Sequence, residues 1–391
     1  MKRKVVVLGG TGSIGQNALD IIKHFPQDFD LVGFSYHNNK NLALEIQKSH
    51  PASFMLCTKE LEEDSVCDAN IKDKEVLEEL KKKIDFYKVF LEKTQPDIVI
   101  NGISGAFGLL PSYVALSLGL DLALANKESI VLAYHILANL SQKNGTNIIP
   151  LDSEHWAIFD LLRLLKDDKI AKIIITASGG AFRFFPSEKL KHVSVEDAIR
   201  HPTWKMGKKI SIDSASLANK ALEVIEATKL FSFSVKDIIV SIHKESIVHS
   251  MVQTKGGAIY ASLSPPDMRA PIFGALMFPN NIKPYLAPLD FNSSFSLSFS
   301  PPRYKDFPML DIGFRVAELG FSYPIAFNAT NEVAVEAFSS KKIGFLDIPS
   351  VVEDVLQKDW NKKTSMIEEV YLLDRQSRKI ALEIIQNKYI K

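Results

Sequence analysis

A β-branched run, a glycine turn and a helical pattern open the chain, and few folds accept that order. Lys4-Val5-Val6-Val7-Leu8 reads as a short strand, and Gly15–Phe25 has helical periodicity that stops before Pro26. Between them, Gly9-Gly10-Thr11-Gly12-Ser13-Ile14-Gly15 holds G-x-G-x-x-G at Gly10, Gly12 and Gly15. After a strand and at the start of a helix, such glycines let the backbone approach a pyrophosphate, whose charge the helix N-terminus favours. The plainer reading is a glycine-rich turn without a ligand, and the strand-to-helix setting argues against it.

The alternation continues. Asp30–Ser35, Ser53–Cys57, Asp97–Ile100, Leu120–Ala125 and Thr146–Ile149 read as strands; Asn41–Lys48, Asp64–Leu91, Gly108–Leu118 and Glu128–Gln142 read as helices. Strands alternating with helices predict a parallel, doubly wound α/β sheet of Rossmann type. The second strand ends in Ser35-Tyr36-His37-Asn38-Asn39-Lys40, without the acid that would hold a ribose 2′-OH, which favours NADP over NAD. Beyond residue 150 the pattern changes. Ile170–Ala177, Asp237–Ile242, Ser246–Gln253 and Ala258–Leu263 read as strands, and a helix is expected from Ser216 to about Thr228. Residues 277–302 suit an extended linker, and helical periodicity returns at about 308–320, 324–339, 349–357 and 364–388.

Four stretches carry candidate chemistry. Leu151-Asp152-Ser153-Glu154-His155 sets two carboxylates around a hydroxyl at a strand-to-helix turn. They can cap the helix, or hold a hard divalent cation such as Mg²⁺ or Mn²⁺ with a third carboxylate from elsewhere. Asn126-Lys127-Glu128 sits at another such turn: Lys127 can meet phosphate or a substrate oxygen, and Asn126 and Glu128 a ribose, or the stretch is simply a cap with an exposed lysine. Ser214, Ser216, Asn219, Lys220 and Glu223 form the densest polar run of the second half. Lys220 with hydroxyls and an amide suits a phosphate, and Glu223 can be the third carboxylate; a solvated helix face is the alternative. His201–Gly207 mixes His, Trp and Met in a loop that either packs as a plug or closes over a ligand.

Forty-seven basic and 46 acidic residues leave a formal charge of +1, which excludes the electrostatic footprint of a nucleic-acid or anionic-membrane binder. Cys57 and Cys67 are too few for a disulfide framework and show no metal spacing. No apolar run reaches membrane-spanning length, and Val5–Leu8 is too short for a signal-peptide core. A cytoplasmic protein is expected.

Taken together these segments resemble the 1-deoxy-D-xylulose 5-phosphate reductoisomerase family. The likeness rests on Gly10–Gly15 with Gln16 and Asn17, Leu124–Ser129, Leu151–His155, Thr176–Gly180, His201–Gly207, Ile212–Ser216 with Asn219, Lys220 and Glu223, Ile247–Met251, Pro266–Arg269 and Phe327–Ala337, in order along nearly the whole chain. It implies an NADPH-binding domain (1–150), a catalytic and dimerisation domain (151–276), a linker (277–302) and a C-terminal four-helix bundle (303–391). It also implies a homodimer, a divalent cation (Mn²⁺, Mg²⁺ or Co²⁺) and a phosphorylated sugar substrate, rearranged and then reduced by NADPH. By position it makes Asp152, Glu154 and Glu223 the metal ligands, and Ser178, Ser214, Asn219 and Lys220 the phosphate pocket. Ser153, Lys127 and His201 become substrate contacts, with Lys127, His201 and the metal ligands catalytic. Thr11, Gly12, Ser13, Ile14, Asn39, Asn126, Glu128 and Gly207 become NADPH contacts; Trp204 and Met206 belong to a lid, His249 and Met268 to the pocket. The chain departs from the family pattern at Tyr36-His37-Asn38, Phe107, Trp156 and Lys205, none of them a proposed catalytic group.

Overall fold

The structure, a computed structural model, describes residues 1–61, 73–165, 169–204, 206–280 and 284–390. It divides into two units. The first holds Met1–Asp152, Met268–Leu286 and Ser365–Glu368; the second holds Ser153–Asp267, Ala287–Thr364 and Glu369–Lys391.

The first unit alternates as its sequence predicts: β1 (Arg3–Leu8), α1 (Ser13–His24), β2 (Phe29–Tyr36), α2 (Lys40–Ser49), β3 (Phe54–Cys57), α3 (Asp73–Thr94), β4 (Ile98–Asn101), α4 (Leu109–Ser117), β5 (Asp121–Leu124), α5 (Lys127–Asn144) and β6 (Ile148–Pro150). The helix expected over Asp64–Leu91 is seen from Asp73 on; residues 62–72, with Cys67, lie outside the described residues. The strands pair in the order β3-β2-β1-β4-β5-β6, every neighbour parallel. Val5–Leu8 and Ile98–Ile100 are buried because a doubly wound sheet is covered on both faces, so its central strands are apolar throughout. The strand order reverses between β1 and β4, and ligands of such sheets bind in the crevice at that switch point.

The second unit begins with α6 (Ser153–Leu164), whose first turn Ser153 and Glu154 suit. Then come β7 (Ile170–Ala177), α7 (Val195–Ala198), α8 (Lys208–Ser216), α9 (Ala218–Leu230), β8 (Ile238–Ile242), β9 (Val248–Thr254) and β10 (Ile259–Leu263). They form a mixed sheet, β10-β9-β7-β8, with only β7 and β8 parallel, and α6 packs against β9 and β10. Helix α8 lies where only a helix from Ser216 on was expected. Its serines and Asp213 favour competing local hydrogen bonds, so burial of Ile212 and Ala215 rather than propensity holds it.

A further helix, α10 (Arg269–Met277), belongs to the first unit and is not evident from periodicity, because Pro271 interrupts the pattern. Proline is tolerated in a first turn. Phe273 stacks on Phe25 of α1 at 4.5 Å, and Arg3 donates to the carbonyls of Leu276 (2.9 Å) and Phe278 (2.8 Å), closing the helix end. The four C-terminal helices match the predicted periodicity: α11 (Met309–Leu319), α12 (Tyr323–Ser339), α13 (Asp347–Leu356) and α14 (Ile367–Lys388). Within the second unit α12 packs on α11 and α13, and α11 on α9. Gly313 makes that last approach possible: a Cβ there would lie 2.4 Å from the Cβ of Ala221. Among the described residues no helix is long and apolar enough to cross a membrane.

Candidate active site

In the first unit, the glycine turn sits at the carboxyl end of β1. Gly9 has φ +79°, and a Cβ on Gly15 would come within 2.4 Å of the Gly9 carbonyl oxygen. Only glycine fits either place. Gln16 donates from Nε2 to the Gly10 carbonyl (2.8 Å) and Gly9 N–H to Ser35 Oγ (2.9 Å), which fixes the turn. Gly12 caps α1 with no side chain over the helix end, and the first turn carries no acid, so Thr11, Gly12, Ser13 and Ile14 frame an N-terminus favourable to an anion. Asn39 serves as N-cap of α2, accepting from Leu42 N–H (3.1 Å).

Asn126 and Glu128 shape a neighbouring loop. Asn126 caps α5 through Ser129 N–H (2.9 Å), and its Nδ2 donates to the Ile103 and Gly105 carbonyls (both 2.8 Å) and to Glu128 Oε2 (3.0 Å). Glu128 Oε1 accepts from Gly105 N–H (3.2 Å). Gly108 packs on Asn126 so closely that a Cβ would lie 2.3 Å from Cγ, and Phe107 beside it is half exposed. Lys127, next in line, is buried and ion-paired with Asp152, which follows β6.

In the second unit, two carboxylates share one ammonium. Lys220 Nζ lies 2.7 Å from Glu154 Oε1 and is also ion-paired with Glu223 Oε2. Asn219 donates to Glu223 Oε1 (2.5 Å) and Ser153 Oγ to Glu154 Oε2 (2.6 Å). Lys220 and Glu223 are buried, and fully buried His155 holds the Glu223 carbonyl through Nε2 at 3.1 Å. Between Ser214 and Asn219 the chain turns through Leu217 at φ +62°, a conformation uncommon for a bulky residue and of the kind found at functional sites. Ser216 Oγ meets Ala218 N–H (3.3 Å) across that break.

Ser178 closes the same region. Gly180, at φ +66°, sits where a Cβ would be 2.3 Å from the Ser214 carbonyl oxygen, so the Ser178 loop rests directly on α8. Ser178 Oγ lies 2.9 Å from His201 Nε2. His201 Nδ1 accepts from Thr203 N–H (3.2 Å) and Trp204 N–H (2.9 Å), which leaves the proton on Nε2. Burial, reinforced by the Arg183 charge, pulls its pKa down to about 4, so the ring is a neutral donor. Gly207 starts α8 as its N-cap. His249 is buried and held below its usual range, the charge of Glu154 working the other way. Lys205 lies outside the described residues.

Sequence reasoning passed over Arg183, which donates to the Ser178 carbonyl (3.1 Å), and Asn101, whose Nδ2 ties the Gly108 carbonyl (2.7 Å) to Ser112 (2.8 Å). A cation three residues past the Gly179-Gly180 pair, and an amide at the end of a strand, were the available signals.

The strand order and glycine turn place the chain in the class of doubly wound dinucleotide-binding proteins. A family model for 1-deoxy-D-xylulose 5-phosphate reductoisomerase matches residues 5–134, and models of that enzyme's C-terminal domain match 148–231 and 263–380. The reductoisomerase of Treponema denticola is 50% identical over 387 residues, covering 99% of this chain and 98% of that one. The Zymomonas mobilis reductoisomerase, solved in complex with NADPH, superposes with a TM-score of 0.84 at 32% identity, covering 99% of this chain and 100% of that one. A reductoisomerase solved with NADPH, fosmidomycin and magnesium gives 0.84 at 31% identity and 98% coverage of both chains. The chain belongs to the 1-deoxy-D-xylulose 5-phosphate reductoisomerase family.

Proposed function

We propose that this chain, with NADPH and a divalent cation, converts 1-deoxy-D-xylulose 5-phosphate to 2-C-methyl-D-erythritol 4-phosphate, a step of the non-mevalonate isoprenoid pathway. The observation that carries the reading is the mutual engagement of Glu154, Asn219, Lys220 and Glu223 on α6 and α9, in a chain that aligns end to end with reductoisomerases.

The residues fit both groups. Asp152, one peptide bond from Ser153, joins Glu154 and Glu223 as ligands that offer only carboxylate oxygens, the donor type of Mg²⁺, Mn²⁺ and Co²⁺ sites. The ammonium of Lys220 against two of them marks a place that attracts positive charge. A bound divalent cation lowers the pKa of the substrate oxygens it holds and stabilises negative charge during the rearrangement. The glycine turn and the acid-free start of α1 suit a pyrophosphate, with Thr11, Gly12, Ser13, Ile14, Asn39, Asn126, Glu128 and Gly207 as NADPH contacts.

The remaining work belongs to the chain itself. Ser178, Ser214, Asn219 and Lys220 bind the phosphate, and that remote binding positions the reacting carbons. His201 donates from Nε2 as a neutral ring; Ser153 and Lys127 hold substrate oxygens. Trp204 and Met206 cover the substrate and exclude water. The division into NADPH domain, catalytic domain, linker and bundle at residues 150, 276 and 302 belongs to the same reading. So does a cytoplasmic homodimer: Cys57 is a free thiol, and the edge strand β10 exposes Ile259, Tyr260 and Leu263, a surface that pairing with a second copy would cover.

Loss of NADPH absorbance on adding the substrate with Mn²⁺ or Mg²⁺, and its abolition by EDTA, tests the proposal. Absence of turnover with every divalent ion overturns it.

A further inference from the structure

The segment Phe327–Ala337 lies in α12, in the C-terminal helices, and carries none of the metal, phosphate or NADPH roles above. Its Asn328, Thr330 and Asn331 are nonetheless fully buried. Polar side chains in the middle of a core helix need partners, and those partners are informative.

Asn331 Nδ2 donates to Asp213 Oδ1 at 2.9 Å. A carboxylate can only accept, which fixes the direction of the bond and the orientation of the amide. Asp213 is buried in α8, immediately before Ser214, and its other oxygen meets Lys209 Nζ at 3.0 Å. One residue on stands Glu332, whose carboxylate also feels the Lys209 charge. It pairs with Arg378 of α14 at 2.5 Å, and Arg378 in turn holds Asp374 at 2.7 Å. A polar tie thus runs from α14 through α12 into the last turn of α8.

That turn needs a tie. It ends at Leu217 in the left-handed region, which no packing preference of leucine favours, and it carries two parts of the phosphate pocket. Ser214 lies within it, and the Ser178 loop rests on its carbonyl through Gly180. Moving α8 therefore moves Ser214 and Ser178 together. Glu154 and Glu223 are anchored elsewhere, through Lys220, Asn219 and His155 on α6 and α9.

We propose that Asn331 is a positioning residue for substrate phosphate: through Asp213 it fixes the last turn of α8, and with it the Ser214 and Ser178 side of the pocket. The inference rests on the phosphate pocket proposed above. It assigns the C-terminal helices a part in substrate affinity that is separable from metal and NADPH binding.

The test compares Asn331→Ala, Asn331→Asp, Asp213→Asn and the exchanged pair Asp213→Asn/Asn331→Asp in the full chain. KM for 1-deoxy-D-xylulose 5-phosphate, kcat, KM for NADPH and the Mn²⁺ concentration for half activation are measured, with folded protein confirmed by circular dichroism. Each single variant is expected to raise the substrate KM about tenfold, the weight of one ordinary hydrogen bond. The values for NADPH and Mn²⁺ should stay within about twofold, because the lost bond is at the last turn of α8, whereas the carboxylates are anchored on α6 and α9 and the NADPH contacts lie in the first unit and at Gly207, the far end of α8. The exchanged pair restores donor and acceptor with the charge moved across, and recovers most of the affinity. Asn331→Ala adds no charge to the core, so it remains informative if Asn331→Asp fails to fold. A folded Asn331→Ala with wild-type substrate KM, or an exchanged pair no better than its singles, overturns the inference. Ser214→Ala is measured alongside: if its KM is also unchanged, the phosphate pocket itself is wrong. If Ser214→Ala raises KM and Asn331→Ala does not, only the positioning role falls.

Discussion

Lys220 is the residue whose removal says most about the candidate site. Its ammonium stands between Glu154 and Glu223, with Lys220 and Glu223 almost wholly buried and the Glu154 side chain 18% exposed. Lys220→Met keeps the length of the stem and deletes the charge. Two carboxylates on the order of 5 Å apart then face each other, worth about 3 kcal/mol of repulsion at an effective dielectric of about 20. That agrees with the roughly 3–5 kcal/mol lost when one partner of a buried ion pair is removed. For a unit of about 200 residues each kcal/mol moves Tm by about 2–4 °C, so the metal-free variant should melt on the order of 10 °C below the parent. Saturating Mn²⁺ or Mg²⁺ supplies the missing positive charge and should raise Tm more in the variant than in the parent, since binding to the native state alone stabilises it. The assay is a thermal melt with and without metal, in EDTA-treated protein. A variant that melts with the parent without metal, or gains no more than the parent from metal, would refute the idea that Glu154 and Glu223 are held as a cation site.

Other expectations follow from the same geometry. His201 should titrate with a midpoint near 4 by NMR rather than 6.5, because burial and Arg183 disfavour the imidazolium. Its neutral ring then contributes stability in full above pH 6.5; the contribution falls as pH drops from 6.5 toward 4, where the unfolded chain takes up the proton first. A midpoint at or above 6.5 would contradict the tautomer assigned here. Gly180→Ala meets both a positive φ and the Ser214 carbonyl 2.3 Å from the new Cβ; it should cost roughly 2–4 kcal/mol in a denaturant melt and raise the substrate KM. Arg378→Met strands Glu332 and Asp374 in the interior and should cost about 3–5 kcal/mol by denaturant unfolding, less at acid pH as the carboxylates protonate.

Much of this could be read from residue order, and the remainder has a common cause. The six parallel strands were legible because apolar runs bounded by turn residues repeat with helical spacing between them, a local signal. The dense polar run Ser214–Glu223 was legible for the same reason, since Asn219 and Glu223 four residues apart must share a helix face. Helix α8 was not, because Ser211, Asp213, Ser214 and Ser216 speak against helix locally and only buried neighbours decide for it. Helix α10 was hidden by Pro271, and the Asn331–Asp213 bond by a separation of 118 residues. Asn126 and Glu128 show a third kind of gap. They were named as site residues by position, and their side chains are spent on the Ile103–Gly105 loop, a detail no spacing rule reports.

The charges of the second unit bear on why its carboxylates and the proposed phosphate pocket would occupy the same helices. Glu154 and Glu223 against Lys220 leave one net negative charge in a buried place, which would repel a phosphate dianion. A divalent cation held there would reverse that sign. Bound by both carboxylates, it would free Lys220 from neutralising them and leave the ammonium for an anion beside Ser178, Ser214 and Asn219. In the proposed site the lysine would have two sets of partners from one position, and the cation would select between them. A buried lysine on a helix between two carboxylates is costly as a permanent ion pair, since desolvation offsets most of its attraction. It is economical as a group shared between a metal-free resting state and a phosphate-bound working state. The short helix α9, with Asn219, Lys220 and Glu223 within its first two turns, is where that proposed exchange would take place.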